Sequence, residues 1–161
     1  MNIRYLVLLL LLAHWLPARS QRITLPSGEY MDTTSARQPP CPTYGVRYYS
    51  VHQKYPRSSY TLAREAQAFL QRQKQAYAGS GYVTFRFVVD CAGQRQPRVQ
   101  VLQTDAQYQR CQFSSALVEA LYGYFQTLTE WPVGRLQDKA VNYIAYLTFK
   151  LQDGKVVAVV P

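Results

Sequence analysis

The sequence has very little of the chemistry on which most enzymes rely. Its 161 residues include three cysteines and two histidines, and of the histidines only His52 lies beyond the first twenty residues. Neither residue type recurs at zinc-ligand spacing, and no glycine-rich phosphate loop follows a predicted strand. The nine Asp and Glu residues form no obvious catalytic pair. We therefore expect no catalytic residue, no metal and no cofactor, and an envelope hydrolase using His52 is the least favoured alternative.

Acidic residues are also scarce relative to basic ones. The chain has 18 Lys and Arg against nine Asp and Glu, a formal charge of +9, and it has 14 tyrosines. The bases are scattered, which favours a solvated basic surface, and no nucleic-acid partner is expected. Tyrosine suits strand faces and binding surfaces because it combines apolar area with a hydroxyl. Binding of an anionic polymer or glycan through Arg and Tyr is therefore an alternative function.

Residues 1–20 have the pattern of a secretory signal peptide. Arg4 precedes an apolar run over residues 6–12, and Pro17 ends that run before the small-x-small sequence Ala18-Arg19-Ser20. The run is shorter than the roughly 20 residues that span a bilayer, although an uncleaved anchor is the alternative. No later stretch is long and apolar enough to cross a membrane. We expect cleavage near Ser20 and a periplasmic or secreted protein without a transmembrane segment.

Residues 21–60 form an irregular approach segment that is rich in proline and tyrosine. Proline fixes its own φ and lacks an N–H donor, so long regular elements are not expected here, although residues 45–51 can form a short strand. The aromatic content favours ordered coil laid over the domain. Residues 61–161 are expected to form that single domain.

Periodicity predicts the elements of this domain. Apolar residues three and four apart predict a helix over residues 61–77, ended by glycines at 79 and 81. Strict alternation predicts a strand over residues 82–90, and a short turn joins it to a second strand over residues 98–102. Ser114 or Ser115 can cap a second helix, which Trp131-Pro132 closes.

A last long strand is predicted over residues 140–151. Asp153-Gly154 then signals a hairpin, so that Lys155–Val160 can pair back as an extra strand. The expected fold class is α+β: a small antiparallel sheet in the order strand, strand, helix, strand, with helices on one face. Whether Lys155–Val160 covers the edge of the last long strand decides whether that edge is free to bind.

Two of the three cysteines are predicted to form a disulfide. Cys91 lies where the first strong strand meets its turn, and Cys111 lies just before the second helix. A Cys91–Cys111 bridge in an oxidising compartment would tie the hairpin to the start of that helix and stabilise the fold by roughly 3 kcal/mol. A pair involving Cys41, or three free thiols, are the alternatives.

Residues 81–151 resemble the C-terminal domain of TonB-like proteins. The shared pattern is a Gly before an alternating strand, a Gly-containing turn, a V-x-V strand, a helix, a Trp-Pro marker, a Gly and a strand that ends in F-x-L. Tyr55-Pro56 ahead of the first helix is similar to the family's Tyr-Pro. The other matching residues are Gly81, Val83, Phe85, Phe87, Val89, Gly93, Val99, Val101, Leu117 to Phe125, Trp131, Pro132, Gly134, Phe149 and Leu151.

The resemblance implies a small α+β domain that binds a peptide of an outer-membrane transporter by strand addition at a sheet edge. TonB energy transducers have a membrane anchor and a long proline-rich spacer; this sequence shows neither, so energy transduction is not expected to carry over. The expected function is an exported, non-catalytic domain that binds an envelope or outer-membrane protein, in a role accessory to outer-membrane transport. The candidate peptide-binding strand carries Asn142, Ile144, Tyr146, Thr148 and Lys150.

Overall fold

A computed structural model describes residues 29–32, 46–51 and 54–161. The expected signal peptide, Cys41 and His52 lie outside these ranges. None of the helices in the described ranges is long and apolar enough to cross a membrane. The elements are β1 (Glu29–Asp32), β2 (Val46–Arg47), a 3-10 turn (Tyr48–Ser50), α1 (Ser59–Arg72), β3 (Gly81–Val89), β4 (Val99–Asp105), α2 (Ser115–Gln126), β5 (Gly134–Leu136), β6 (Lys139–Val141), β7 (Tyr143–Gln152) and β8 (Lys155–Val160).

One mixed sheet forms the centre of the fold. Its strand order is β1-β4-β3-β7-β2, and β8 also pairs with β7. β3 is antiparallel to both β4 and β7, and its pairing with β7 runs from Gly81–Leu151 to Val89–Tyr143. β2 is the parallel strand, while β5 and β6 form a separate hairpin. The α+β class is confirmed, and the sheet is mixed because the approach segment contributes β2.

The helices pack on one face of this sheet. The residues of β3 alternate between buried and half-buried from Gly81 to Val89, so the predicted period of two is confirmed. Phe85 lies in the middle of the core, with ring centroids 5.2 Å from Phe125 of α2 and 5.8 Å from Phe149 of β7. Burying each such ring stabilises the fold by about 1.5–3 kcal/mol.

α2 begins where its predicted cap places it, α1 begins at Ser59, two residues before the predicted start at 61, and both helices end earlier than expected. The Ser114 side chain accepts a hydrogen bond from the Leu117 N–H, so Ser114 is the N-cap of α2. α1 ends at Arg72 rather than at residue 77, because Lys74 adopts a left-handed conformation with φ of 53°. α2 ends at Gln126, ahead of Trp131-Pro132.

The predicted strand over residues 140–151 is two elements. Residues 139–141 belong to the β5–β6 hairpin, and β7 begins at Tyr143. Asn142 separates the two strands, because its side-chain oxygen accepts a hydrogen bond from the Cys91 N–H at 2.9 Å. The Asp153-Gly154 hairpin to β8 is confirmed: both turn residues have positive φ, 49° and 72°.

The predicted Cys91–Cys111 disulfide is wrong. Cys111 is a free thiol, and Cys91 is disulfide-bonded. The Cys111 N–H donates to the Gln103 carbonyl, and Gln103 pairs with Val83 near the start of β3. Cys91 follows the other end of β3, about eight residues away, or roughly 25 Å along an extended strand. A disulfide needs Cα atoms within about 7 Å, so the hairpin keeps these cysteines apart.

Candidate functional site

The outer side of β7 is covered at both ends and interrupted in the middle. β2 pairs with Tyr143 and Ile144, and β8 pairs with residues 148–152. Residues 145–147 pair with β3 on one side and with no described strand on the other. Successive strand residues direct their backbone N–H and C=O groups to opposite sides, so this segment presents the groups of one or two residues to the gap.

A cavity of about 300 Å³ opens beside this interruption, and we call it the β7 cleft. Two polar side chains, Lys54 and Ser59, contribute to its lining, and Lys54 is the charged one among the described lining residues. The other large side chains are aromatic and come from four parts of the chain. They are Tyr48, Tyr55, Trp131, Tyr143 and Tyr146.

Hydrogen bonds and ring contacts fix the inner wall of the β7 cleft. The rings of Tyr55 and Trp131 lie 4.5 Å apart between centroids. The Trp131 indole N–H donates to the Leu128 carbonyl, and the Tyr143 hydroxyl donates to the Pro132 carbonyl, both at 2.8 Å. Burial raises the pKa of Tyr143 to about 12. The wall is therefore preorganised and uncharged at neutral pH.

Arg57, in the segment before α1, forms ion pairs with α1 and with the segment that follows α2. Arg57 contacts Glu65 of α1 at 2.9 Å and Glu130 at 2.8 Å. The Tyr55 hydroxyl donates to the same Glu130 carboxylate at 3.2 Å. Hydrogen bonds to Glu130 and then to Glu65 raise the pKa of Arg57. These side chains are one-third to one-half exposed, so each pair adds at most about 1 kcal/mol and serves mainly to position Tyr55 at the cleft.

The five residues predicted for peptide binding do not form one exposed row. Asn142 is 2% exposed and Ile144 is 5% exposed, so neither side chain can meet a peptide. Tyr146 lines the β7 cleft. Thr148 and Lys150 face outward, but their backbones pair with β8, which removes them from strand addition.

The sequence does not reveal the other walls of the β7 cleft. Tyr55 and Trp131 each stand before a proline, and nothing in the sequence shows that they are neighbours. They are 76 residues apart in the chain, and only the packing of the approach segment against the end of α2 brings their rings together. Lys54 and Ser59 carry no sequence signal, because their position at the cleft depends on the same packing.

The remaining reactive group lies away from the β7 cleft. Cys111 is half-buried. Burial, and to a smaller extent the negative charge of Asp105, raises the pKa of its thiol, so the thiol is less reactive at neutral pH. Within the described ranges no three His, Cys, Asp or Glu side chains lie together as a metal site requires. Comparisons with protein-family models, with curated proteins and with solved structures find no match for this chain.

Proposed function

We propose that this chain is a non-catalytic binding domain of the cell envelope, similar to the C-terminal domains of TonB-like proteins. Its ligand is a short peptide segment of an envelope or outer-membrane protein, taken up at the β7 cleft. The observation that carries this proposal is the coincidence of an aromatic cleft with the interruption of the β7 edge at residues 145–147. The signal-like pattern of residues 1–20 supports export.

The order of elements supports the same proposal. α1, the β3–β4 hairpin, α2 and β7 follow one another as helix, hairpin, helix and strand. This is the order on which the resemblance to TonB-like domains rests. This chain differs from TonB-like domains at the edge of β7, the strand on which such domains receive a peptide. Here β2 and β8 cover most of that edge. The binding site is therefore shorter than a full strand.

A bound peptide lies alongside residues 145–147 and inserts one side chain into the β7 cleft. The backbone contributes few hydrogen bonds, so the inserted side chain supplies most of the affinity and the specificity. The rings of Tyr48, Tyr55 and Trp131 favour an aromatic or large aliphatic side chain. Lys54 at the rim favours a neighbouring carboxylate.

Selection from a displayed random-peptide library tests the proposal. Peptides that the purified protein enriches are synthesised, and their dissociation constants are measured by fluorescence anisotropy. We expect enriched peptides to share an aromatic residue next to an acidic one and to bind in the micromolar range, at about 1–100 μM. A protein that enriches no peptide sequence over a library background would contradict the proposal.

Two variant pairs locate the binding. Ser59→Trp places an indole ring in the β7 cleft. The control Tyr60→Trp places the same indole at the next residue, which does not line the cleft. We expect the first to weaken peptide binding at least about tenfold, a loss of about 1.4 kcal/mol, and the second to leave it unchanged. Lys54→Glu should weaken acidic peptides more than Lys139→Glu, which alters an exposed lysine in β6. Equal effects within either pair would place the peptide elsewhere.

A further inference from the structure

The sheet face opposite the helices is half-exposed over most of its length and buried at one end, at Gln100 and Ile144. On its half-exposed part, outward residues of β3 and β7 face each other in three rows, and a fourth row, Val88 with Ile144, lies at the buried end. None of the outward residues of β3, β4 and β7 is Asp or Glu. We call this surface the open sheet face. Its rows are Tyr82 with Lys150, Thr84 with Thr148, and Arg86 with Tyr146.

Tyrosines stand at both ends of the open sheet face. Tyr82 stacks on Tyr108 with ring centroids 5.0 Å apart and planes 10° from parallel. At the other end, the Arg86 guanidinium lies 5.8 Å from the Tyr146 ring centroid, and Tyr48 packs edge-on against the same ring. Tyr82 pairs with Lys150, four residues along β7 from Tyr146, so the two ends are about 13 Å apart. A hydroxyl row lies between them, with Thr84 and Thr148 hydrogen-bonded at 3.0 Å.

Tyr108 holds its ring on this face in a conformation that favours glycine. Its φ is 61°, and its side chain is 70% exposed. The Asp105 carboxylate accepts hydrogen bonds from Gln107 and Gln109 N–H groups in that turn. A left-handed backbone is rare for a bulky residue, and such strain concentrates at functional positions.

The turn after β3 has the same hydrogen-bond pattern as the turn of Tyr108, but it carries a glycine at the left-handed position. The Asp90 carboxylate accepts hydrogen bonds from the second and fourth N–H groups after it, as the Asp105 carboxylate does. The left-handed position of the Asp90 turn is Gly93, with φ of 76°. The equivalent position of the Asp105 turn is Tyr108. The exposed, stacked ring is therefore present although glycine fits the backbone better.

Cations are spaced singly around these tyrosines. Lys150 is exposed beside Tyr82, Arg86 lies on Tyr146, and Arg98 lies 4.5 Å from the Tyr30 ring centroid at the β1 side. The face as a whole therefore complements an anionic ligand that also offers hydroxyls and apolar ring faces.

We infer that the open sheet face binds an acidic polysaccharide. Its sugar rings lie between the Tyr82–Tyr108 pair and Tyr146, and its carboxylates meet Arg86 and Lys150. This site is distinct from the β7 cleft apart from Tyr48 and Tyr146, and it takes a different class of ligand. The inference therefore goes beyond the proposed function.

The spacing of the charges favours a polysaccharide over a nucleic acid. A nucleic-acid groove follows the phosphates with a continuous positive stripe. Here Arg86 and Lys150 are separated by the hydroxyls of Thr84 and Thr148, which match sugar hydroxyls. Tyrosine rings offer apolar faces to the C–H faces of sugars. The signal-like pattern of residues 1–20 supports export, and an exported protein can meet polysaccharides outside the cytoplasm.

Isothermal titration with polygalacturonate, with neutral dextran as the control polymer, tests the inference. We expect binding to polygalacturonate only, weakening severalfold when NaCl rises from about 50 to about 300 mM, because the charged contacts are exposed and screened. Equal binding to dextran, or no binding to polygalacturonate at low salt, would overturn the inference. So would a single-stranded DNA homopolymer or anionic phospholipid vesicles that bind more tightly through the same residues.

Tyr108→Gly separates ligand binding from stability. Glycine suits the left-handed backbone, so Tm should stay or rise, while loss of the ring should weaken polygalacturonate binding about fivefold. Tyr60→Ala, which removes a 76% exposed tyrosine from α1, should leave binding unchanged. A Tyr108→Gly protein with wild-type affinity would overturn the inference.

Variants of charged residues and of the β7 cleft test which residues bind the polysaccharide. Arg86→Gln and Lys150→Gln should each weaken polygalacturonate binding and reduce its salt dependence, whereas Arg64→Gln on α1 should not. Ser59→Trp should leave polysaccharide binding intact while it blocks peptide, so failure of one site is distinguishable from failure of the other. Identical losses in Arg86→Gln and Arg64→Gln would reduce the interaction to net charge and overturn the inference.

Discussion

The two faces of the central sheet both carry aromatic residues, but of different kinds. Phe85, Phe87 and Phe149 lie on the helix-covered face with at most 1% of their surface exposed. The open face instead presents Tyr82 and Tyr146, which are half-buried, among Thr, Arg and Lys. A phenylalanine ring gains free energy from burial alone, whereas a tyrosine hydroxyl needs water or a hydrogen-bond partner. The helix-covered face therefore supplies core packing, whereas the opposite face presents hydroxyls and charges.

The largest expected effect tests this division directly. Phe85→Ala leaves a cavity between α2 and β7 and should lower the free energy of unfolding by about 3–5 kcal/mol. Thr84→Ala, one residue away on the open face, should cost less than about 1 kcal/mol. Urea unfolding followed by tryptophan fluorescence measures both. Similar costs for the two variants would mean that the open face is also structural.

A smaller effect tests whether β8, which covers one end of the β7 edge, can be destabilised independently of the rest of the sheet. Gly154 has a positive φ, and an added Cβ would collide with the Tyr77 carbonyl. Gly154→Ala should therefore destabilise the β7–β8 turn by more than about 1 kcal/mol. Hydrogen exchange should accelerate in β8 and leave the β3–β4 pairing protected. Uniform acceleration across the sheet would show that β8 is not a separable cover for β7.

The smallest expected effect concerns the buried Tyr143 at alkaline pH. The pKa of the buried Tyr143 is raised to about 12, against about 10 in an unfolded chain. The free energy of unfolding that this pKa difference contributes is fully present below pH 10. It is lost as pH rises from about 10 to about 12, because the unfolded chain releases the proton first. Tyr143→Phe should make the fall of the urea midpoint shallower over that range. A steeper fall in Tyr143→Phe would contradict the burial of Tyr143.

Local pattern predicted the parts of the fold that depend on local physics. The period of two in β3, the cap at Ser114 and the Asp153-Gly154 turn each follow from residues close together in sequence. The small β5–β6 hairpin was merged into the last strand, because its turn residues Gln137 and Asp138 adopt positive φ without a glycine to signal it. Alternation alone does not reveal where one strand stops and another begins.

Long-range placement accounts for what the sequence could not predict. The cysteine pairing was wrong because Cys91 and Cys111 occupy opposite ends of one hairpin, a distance that sequence spacing does not show. The β7 cleft depends on β2, which returns from the approach segment to pair in parallel with β7. Its aromatic wall joins Tyr55 to Trp131, whose contact exists only in the folded chain. Of the predicted binding strand, Tyr146 remains at the cleft.

Amide hydrogen exchange at residues 145–147, measured with and without a selected peptide, tests the central claim most directly. If the peptide adds to the interrupted edge of β7, at least one amide there should exchange about tenfold or more slowly when the peptide is bound, while Thr148 and Lys150, already paired with β8, should change little. The Ser59→Trp protein should show no such slowing. Peptide binding that leaves all three amides unchanged would contradict the account.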